Sequence, residues 1–570
     1  MKHTTTGISI IVGMLVISIG VLPATWATSQ TTAIENTSSL PPYFDLRDVN
    51  GTNYVTSVRD QGPYGTCWTH GVMASMEGNL LMTGNWASAG EQGEPDLSEA
   101  HLDWWNGFND QNNDDDPDGT GIPVHNGGDY LVASAYITRG EGAIREIDAP
   151  YENLPTAPPR NDPTYRYYYP RDIEWYYTDY NLSNIDTIKA KLMEYGVIGT
   201  AFCVGGFMQN NIQYQPPSNT QDPNHAVAIV GWDDTLVTQA PEGPGAWIVK
   251  NSWGAGWGDE GYFYISYYDK WCGHHPQMGA VSYQNVILNQ KREIYSHDYH
   301  GWRDTFTAAS QAFNAFTAQH STMIDAVSFY TTVDVVEYTV KLYDEFTDGI
   351  LSGELSTASG TIGYTGYHTI DLPASVPITV GDDFYVSLEV SQGGIAFDRT
   401  SDVPVLLGGD TRTIVKSLAH ADESFYWDGD DWVDFFTYEF TDPTWDATAN
   451  FCIKAVSAPV SAPLLLFESF TAGKGITAVV KNIGTENATD IQVTINGTGG
   501  LFLWFPQNTY GIDTLAIGAS VDVPMKVFGF GIGILKPLPL LTCTLSSPET
   551  MTVTRQLECK IIGPYTTIME

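Results

Sequence analysis

Gln61-Gly-Pro-Tyr-Gly-Thr-Cys67-Trp68-Thr-His-Gly-Val-Met-Ala-Ser-Met-Glu-Gly-Asn-Leu-Leu81 changes character at its seventh residue. Turn residues give way there to a helical run in which Trp68, Val72, Ser75, Met76 and Leu80 share one face, so Cys67 sits in the first turn of a helix. Unpaired N–H groups and partial positive charge at a helix start favour thiolate over thiol, which predicts a depressed thiol pKa. Gln61 is placed to aim its side-chain amide at the same point as the Cys67 backbone N–H. Two such donors would hold the oxyanion of a tetrahedral intermediate.

A cysteine nucleophile needs a base, and the base needs a third group to fix it. Of 12 histidines, His225 has the best context: Asp222-Pro-Asn-His225-Ala-Val-Ala-Ile-Val-Gly-Trp232 puts it at the entry to an apolar strand. Asn251-Ser-Trp253-Gly-Ala-Gly-Trp-Gly follows a second apolar run, Ala246-Trp-Ile-Val-Lys250. Asn251 therefore ends a buried strand, where its amide oxygen can hold one imidazole nitrogen while the other faces the thiol. Trp253 is positioned to keep water from that bond.

Together these segments resemble the papain-like cysteine peptidases. The resemblance starts upstream at Leu40-Pro-Pro-Tyr-Phe-Asp-Leu-Arg47 and continues through Leu97-Ser-Glu99 and Asn126-Gly-Gly128 in the family's order. It implies Cys67 as nucleophile, His225 as base and acid, Asn251 as orienting residue and Gln61 as oxyanion donor. It also implies that Gly127 and Gly128 pair with the substrate backbone, with Trp68 and Trp253 beside them in the substrate site. Cysteine to histidine spans 158 positions (225 minus 67), against about 130–150 in the plant and lysosomal enzymes, so insertions are implied, one of them at 233–244. Tyr64 and Thr66 depart from the family pattern, which removes the disulfide beside the nucleophile. About 13 residues between 27 and 41 are too few for the family's helical inhibitory propeptide.

The rest of the chain reads as β-structure. Alternating segments at 324–332, 337–343, 367–372, 383–390 and 450–456 predict a β-sandwich over 285–456. Tyr295-Ser-His-Asp-Tyr-His-Gly-Trp302 and Ala312-Phe-Asn-Ala-Phe-Thr-Ala318 resemble the lectin-like domain attached to some prokaryotic members of the family. Such a domain implies a glycan or cell-surface ligand, or a purely structural appendage. Ser457-Ala-Pro-Val-Ser-Ala-Pro463 has the composition of a stiff linker. Beyond it, 464–570 alternates again, with a turn signal at Asn496-Gly497, and predicts an immunoglobulin-like β-domain. The fold class expected is thus multidomain: an α+β papain-like domain at 41–284, a lectin-like sandwich and a second β-sandwich.

Composition narrows the function. Sixty-seven acidic against 26 basic side chains give a net charge of -41, which repels nucleic acid and anionic lipid. Lys2 and His3, an apolar run at 8–22 and small residues at 24–27 read as a signal peptide over 1–27, hence a secreted or cell-surface chain with no transmembrane segment after cleavage. Six cysteines are too few for a disulfide framework, although Cys543 with Cys559 and Cys203 with Cys272 are candidate pairs. Asp114-Asp-Asp116-Pro-Asp118-Gly119 has the spacing of a calcium loop or of a solvated acidic loop; position twelve is His125 where a bidentate Glu is needed. Catalysis itself calls for no cofactor. The function expected is a secreted cysteine endopeptidase working through a thioester. The alternatives are an inert adhesin built on a peptidase-like domain, and acyl transfer to an amine by the same groups.

Overall fold

The computed structural model of the chain describes residues 40–569, apart from 118, 120, 291, 320–321, 459–462, 464, 483–485, 500, 505–506, 532–537 and 548–549. The expected signal segment, residues 28–39 and most of the expected linker lie outside the described residues. No helix among the described residues is long and apolar enough to cross a membrane.

The helix predicted at Cys67 runs Cys67–Thr83, but it is buried from Cys67 to Leu80 on every side, not along one face. Small residues permit this. A Cβ at Gly71 would lie 2.6 Å from the Tyr130 hydroxyl, so only glycine lets the neighbouring helix approach so closely. The Cys67 helix ends at Gly84, which takes the left-handed φ of 69° that a helix C-terminus favours. Two shorter helices complete this wall. Glu99–Trp105 is capped by Ser98, whose Oγ accepts the His101 N–H at 3.1 Å, and Tyr130–Thr138 is capped by the Asp129 carboxylate, which accepts the Leu131 and Val132 N–H groups.

The facing wall is antiparallel: Ile198–Phe202, His225–Asp233, Ala246–Lys250 and Tyr262–Ser266 pair in that order. His225 opens its strand opposite Phe202, as its sequence context predicts.

This sheet does not stop at the expected boundary near 284. Through Ala280–Leu288 and Tyr168–Tyr176 it passes directly into Gly366–Ile378, with Tyr367 opposite Ile173, and on to Thr322–Thr331 and Ile453–Ser457. The result is one 13-stranded sheet shared by both regions. The apolar interior follows it: Tyr330, Tyr367, Val403 and Leu407 belong to the same core as Cys67, Trp68 and Tyr130. A six-stranded sheet closes a second core around Val327, Phe329, Val340, Phe384 and Ile453. At its margin Lys454 is fully buried, with Nζ 2.6 Å from both carboxylate oxygens of Asp298, which is equally buried.

Beyond 464 a three-stranded and a seven-stranded sheet enclose a separate core that includes Ile476, Val493, Leu545 and Cys559. All six cysteines are unbridged, so neither candidate disulfide forms. Strand register places Cys543 opposite Arg555 and not opposite Cys559. The Cys272 sulfur takes a hydrogen bond from the Thr200 hydroxyl, while the Cys203 thiol donates to Gln221.

Candidate active site

The loop before the nucleophile is laced to the segment after the second apolar strand. Gln61 N–H donates to Ser252 O at 2.8 Å, Gly254 N–H donates to Arg59 O at 3.0 Å, and Asp60 bridges Trp253. This pairing brings Gln61 and Asn251 together from positions far apart in sequence. Ser252 Oγ–H donates to Gln61 Oε1 at 2.7 Å, which fixes the amide orientation, and Gln61 Nε2 donates one hydrogen to Tyr64 O. An amide NH2 has two hydrogens, so one remains for an oxyanion.

His225 Nε2 lies 2.8 Å from Asn251 Oδ1, and the Ser252 N–H donates to the same oxygen at 2.8 Å. An oxygen receiving both contacts can only accept, so the imidazole proton is on Nε2 and Nδ1 carries the lone pair. Trp253 stacks on the ring with centroids 4.4 Å apart, covering this hydrogen bond as its position in sequence suggests. Burial lowers the His225 pKa to about 4, with the Asn251 bond acting in the opposite direction.

Cys67 begins its helix as expected, and its sulfur receives the backbone N–H of Ala226, adjacent to the base, besides those of Trp68 and Cys67 itself. The predicted depression of its pKa is not found. At 2% exposure, desolvation outweighs the three N–H donors and pushes the thiol up to about 11. The resting pair is therefore a neutral thiol and a neutral imidazole. Proton transfer to Nδ1 has to accompany attack by sulfur.

Behind this pair lies a buried charged group that sequence reasoning missed. Lys250 Nζ donates to Thr56 Oγ1 at 3.0 Å. Thr56 Oγ1–H in turn donates to Glu77 Oε2 at 2.6 Å, and the other Glu77 oxygen accepts the Leu97 N–H. Glu99, Arg59 and His70 join them around a cavity of about 20 Å3 that reaches Asn251. Burial raises the pKa of Glu77 and Glu99 and lowers that of Lys250. The available signal was charge in apolar company: Glu77 within the nucleophile helix and Lys250 closing the strand before Asn251.

The expected substrate contacts fare differently. Trp68 has no exposed surface and does not line the site; its indole lies beneath Gly128, where a Cβ would sit 2.3 Å from the ring. Gly128 packs on Trp68, the residue after Cys67, and its backbone groups are engaged within the chain. Its N–H donates to Val405 O at 2.8 Å, and its C=O accepts the Leu407 N–H at 3.1 Å. At Gly127 a Cβ would lie 1.9 Å from Val405 O, so glycine is what admits this segment.

The described carboxylates of the acidic loop are held by separate partners. Asp114 forms a two-pronged ion pair with Arg160, and Asp116 faces Lys416 at 3.1 Å. His125 pairs with Asp103, and Asp118 lies outside the described residues. Asp115, between the expected ligands, turns instead toward His300 and Asp398; one ligand atom from each of the three falls within 4.8 Å of the others. Asp115 and Asp398 are both held above the usual carboxylate range by burial.

Residues 40–282 match the papain family cysteine protease and residues 294–457 the lectin like domain. The probable cysteine protease RD19B of Arabidopsis thaliana is 30% identical over 253 residues, covering 43% of this chain and 63% of its own length. Cathepsin J of Mus musculus is 28% identical over 256 residues, 44% of this chain and 66% of its own. The chain thus spans less than two thirds of the length of these curated relatives. The clostridial cysteine protease Cwp84 after propeptide cleavage superposes with a TM-score of 0.57 at 25% identity, over 73% of this chain and 98% of that one. A second structure, of the cysteine protease and lectin-like domains of Cwp84, described as a surface layer associated protein of Clostridium difficile, shares the fold with a TM-score of 0.58 at 24% identity.

Proposed function

We propose that this chain, whose residues 40–282 belong to the papain family of cysteine peptidases and whose residues 294–457 form a lectin-like domain, hydrolyses peptide bonds outside the cell. The observation that carries the reading is the imidazole of His225, held through Nε2 on Asn251 with Nδ1 left as a base. As sulfur attacks the carbonyl, Nδ1 takes the thiol proton and then delivers it to the leaving amine. Water, activated by the same nitrogen, releases the thioester. Gln61 Nε2 faces the developing oxyanion, and the Cys67 N–H, given to the resting sulfur, turns to that oxyanion as the C–S bond forms. The proton taken from water returns to the sulfur as the acid departs.

The test is to count new amino termini released from a denatured protein mixture; none appearing above a no-enzyme control ends the reading. The pH profile offers a sharper check. The imidazole has to be neutral to accept a proton, and burial has taken its pKa from 6.5 to about 4. On a short amide substrate kcat/KM is therefore expected to fall as pH drops through about 4, the neutral base being lost below that value. An acid limb at 6.5 or above contradicts the assignment.

The apolar run near the N-terminus supports export, and the likeness to a surface layer associated protein supports action at a cell surface. The lectin-like domain is read as holding a glycan or another surface ligand, and 464–570 as an immunoglobulin-like spacer. Retention of the chain on glycan-coated beads, with competition by free glycan, tests the first of these.

An inert surface binder is favoured by one observation, the 2% exposure of Cys67. Labelling by iodoacetamide decides between the readings: a chain that releases peptides and loses this activity as Cys67 is alkylated is the enzyme.

A further inference from the structure

The hairpin Ser401–Pro404 with Arg412–Val415 belongs to the lectin-like domain, yet the turn between its strands lies on the peptidase. Leu406 bridges Gly128, and both backbone groups of Gly128 are taken by this turn. Leu407 has no exposed surface and is part of the core that contains Cys67 and Trp68. The turn then crosses to the opposite wall. Gly408 has a positive φ of 78° and packs against His275, where a Cβ would lie 2.7 Å from the ring. The Asp410 N–H donates to Asp222 Oδ2 at 2.9 Å, three residues before the base. The turn thus touches the chain on both sides of the site, the Gly128 edge beside the nucleophile and the Asp222 segment that leads to His225.

Its base is anchored as firmly as its tip. Asn113 Nδ2 donates to Lys416 O at 2.9 Å, and the Leu418 N–H donates to Asp115 Oδ2 at 3.0 Å. A turn tied at both walls and at its root, with a leucine in the core, is a fixed part of the fold and not a loop resting on it.

We propose that residues 405–410 form a built-in stop to the substrate cleft, which restricts the acyl side of the substrate to one or two residues before the scissile bond. The inference rests on the peptidase reading and deepens it by naming a substrate class: short acyl donors, hence amino-terminal residues or dipeptides and not the interior of a long extended chain. An extended substrate strand binds an edge through alternate N–H and C=O groups. At Gly128, which packs on the residue next to the nucleophile, neither group is available to it. Upstream residues would run into Val405 and Leu407.

The experiment compares aminoacyl, dipeptidyl and tetrapeptidyl amides of one fluorogenic amine, on the full chain and on a variant with residues 405–410 replaced by two glycines. In the full chain the better of the two shorter donors is expected to exceed the tetrapeptidyl donor in kcat/KM by about tenfold or more. The variant is expected to raise the ratio of tetrapeptidyl to aminoacyl kcat/KM by about tenfold or more. The length series on the unaltered chain stands alone if the variant does not fold. A full chain that turns over the tetrapeptidyl donor as fast as the shorter ones overturns the stop while leaving the peptidase reading intact. Turnover of no donor by either protein overturns both.

Discussion

Cys67→Ala is expected to lower kcat by about 10^4-fold or more while leaving the folded chain intact. Members of a nucleophile, base and orienting set act as a unit, so loss of the attacking atom forfeits nearly all of their joint contribution. The sulfur accepts the Ala226 N–H, next in sequence to His225, and alanine supplies no nucleophile in its place. Removing one buried sulfur leaves a void too small to unfold a helix packed on every side. The measurement is single-turnover and steady-state hydrolysis of an aminoacyl amide, with thermal unfolding in parallel. Residual turnover within about tenfold of the parent would mean that another group attacks the carbonyl.

Lys454→Met is expected to destabilise the chain by about 3–5 kcal/mol, because it leaves the Asp298 carboxylate in a fully buried position without its cation. Nζ reaches both carboxylate oxygens at 2.6 Å, and neither side chain has solvent to fall back on. The converse follows from the same physics. Lys454→Met combined with Asp298→Leu removes both desolvation costs, and should recover most of the loss. Urea midpoints of the parent, the single and the double variants check this. Equal losses in the single and the double variants would show that packing, and not the unpaired charge, sets the cost.

Sequence made the catalytic set legible because each member opens or closes a regular element in unusual company. Cys67 follows a glycine-rich turn and starts a helix, His225 opens an apolar strand, and Asn251 ends another. The roles proposed for them rest on these positions. What escaped notice depends on contacts between distant parts of the chain. Helix polarity at Cys67 is local and readable, whereas the desolvation that raises its thiol pKa comes from walls contributed by residues far away. The Cys67 helix was assigned one apolar face, but Gly71 and its polar neighbours are also enclosed once Tyr130 packs against them. The candidate disulfide at Cys543 and Cys559 failed on register, which no spacing along one strand reveals.

The same limit hid the junction between the two regions. Gly128 and Leu406 are about 280 positions apart (406 minus 128), and Tyr367 meets Ile173 through ordinary strand alternation that would serve equally well facing solvent. The acidic loop shows how remote partners bear on a local motif. Its spacing suits calcium, but Arg160 and Lys416, remote in sequence, neutralise two of its carboxylates. Its third described carboxylate, on Asp115, binds the Leu418 N–H.

Pairing of Tyr168–Tyr176 with Gly366–Ile378 has a practical corollary for anyone who dissects this protein. A fragment trimmed near residue 290 would retain Cys67, His225, Asn251 and Gln61, the groups proposed for chemistry, yet would carry a raw β-edge rich in tyrosine and tryptophan, an open template for sticking to its own copies. Aggregation of that fragment, cured by supplying residues 294–457 in trans, is the signature to look for. Each region lends the other the strand that covers its open side.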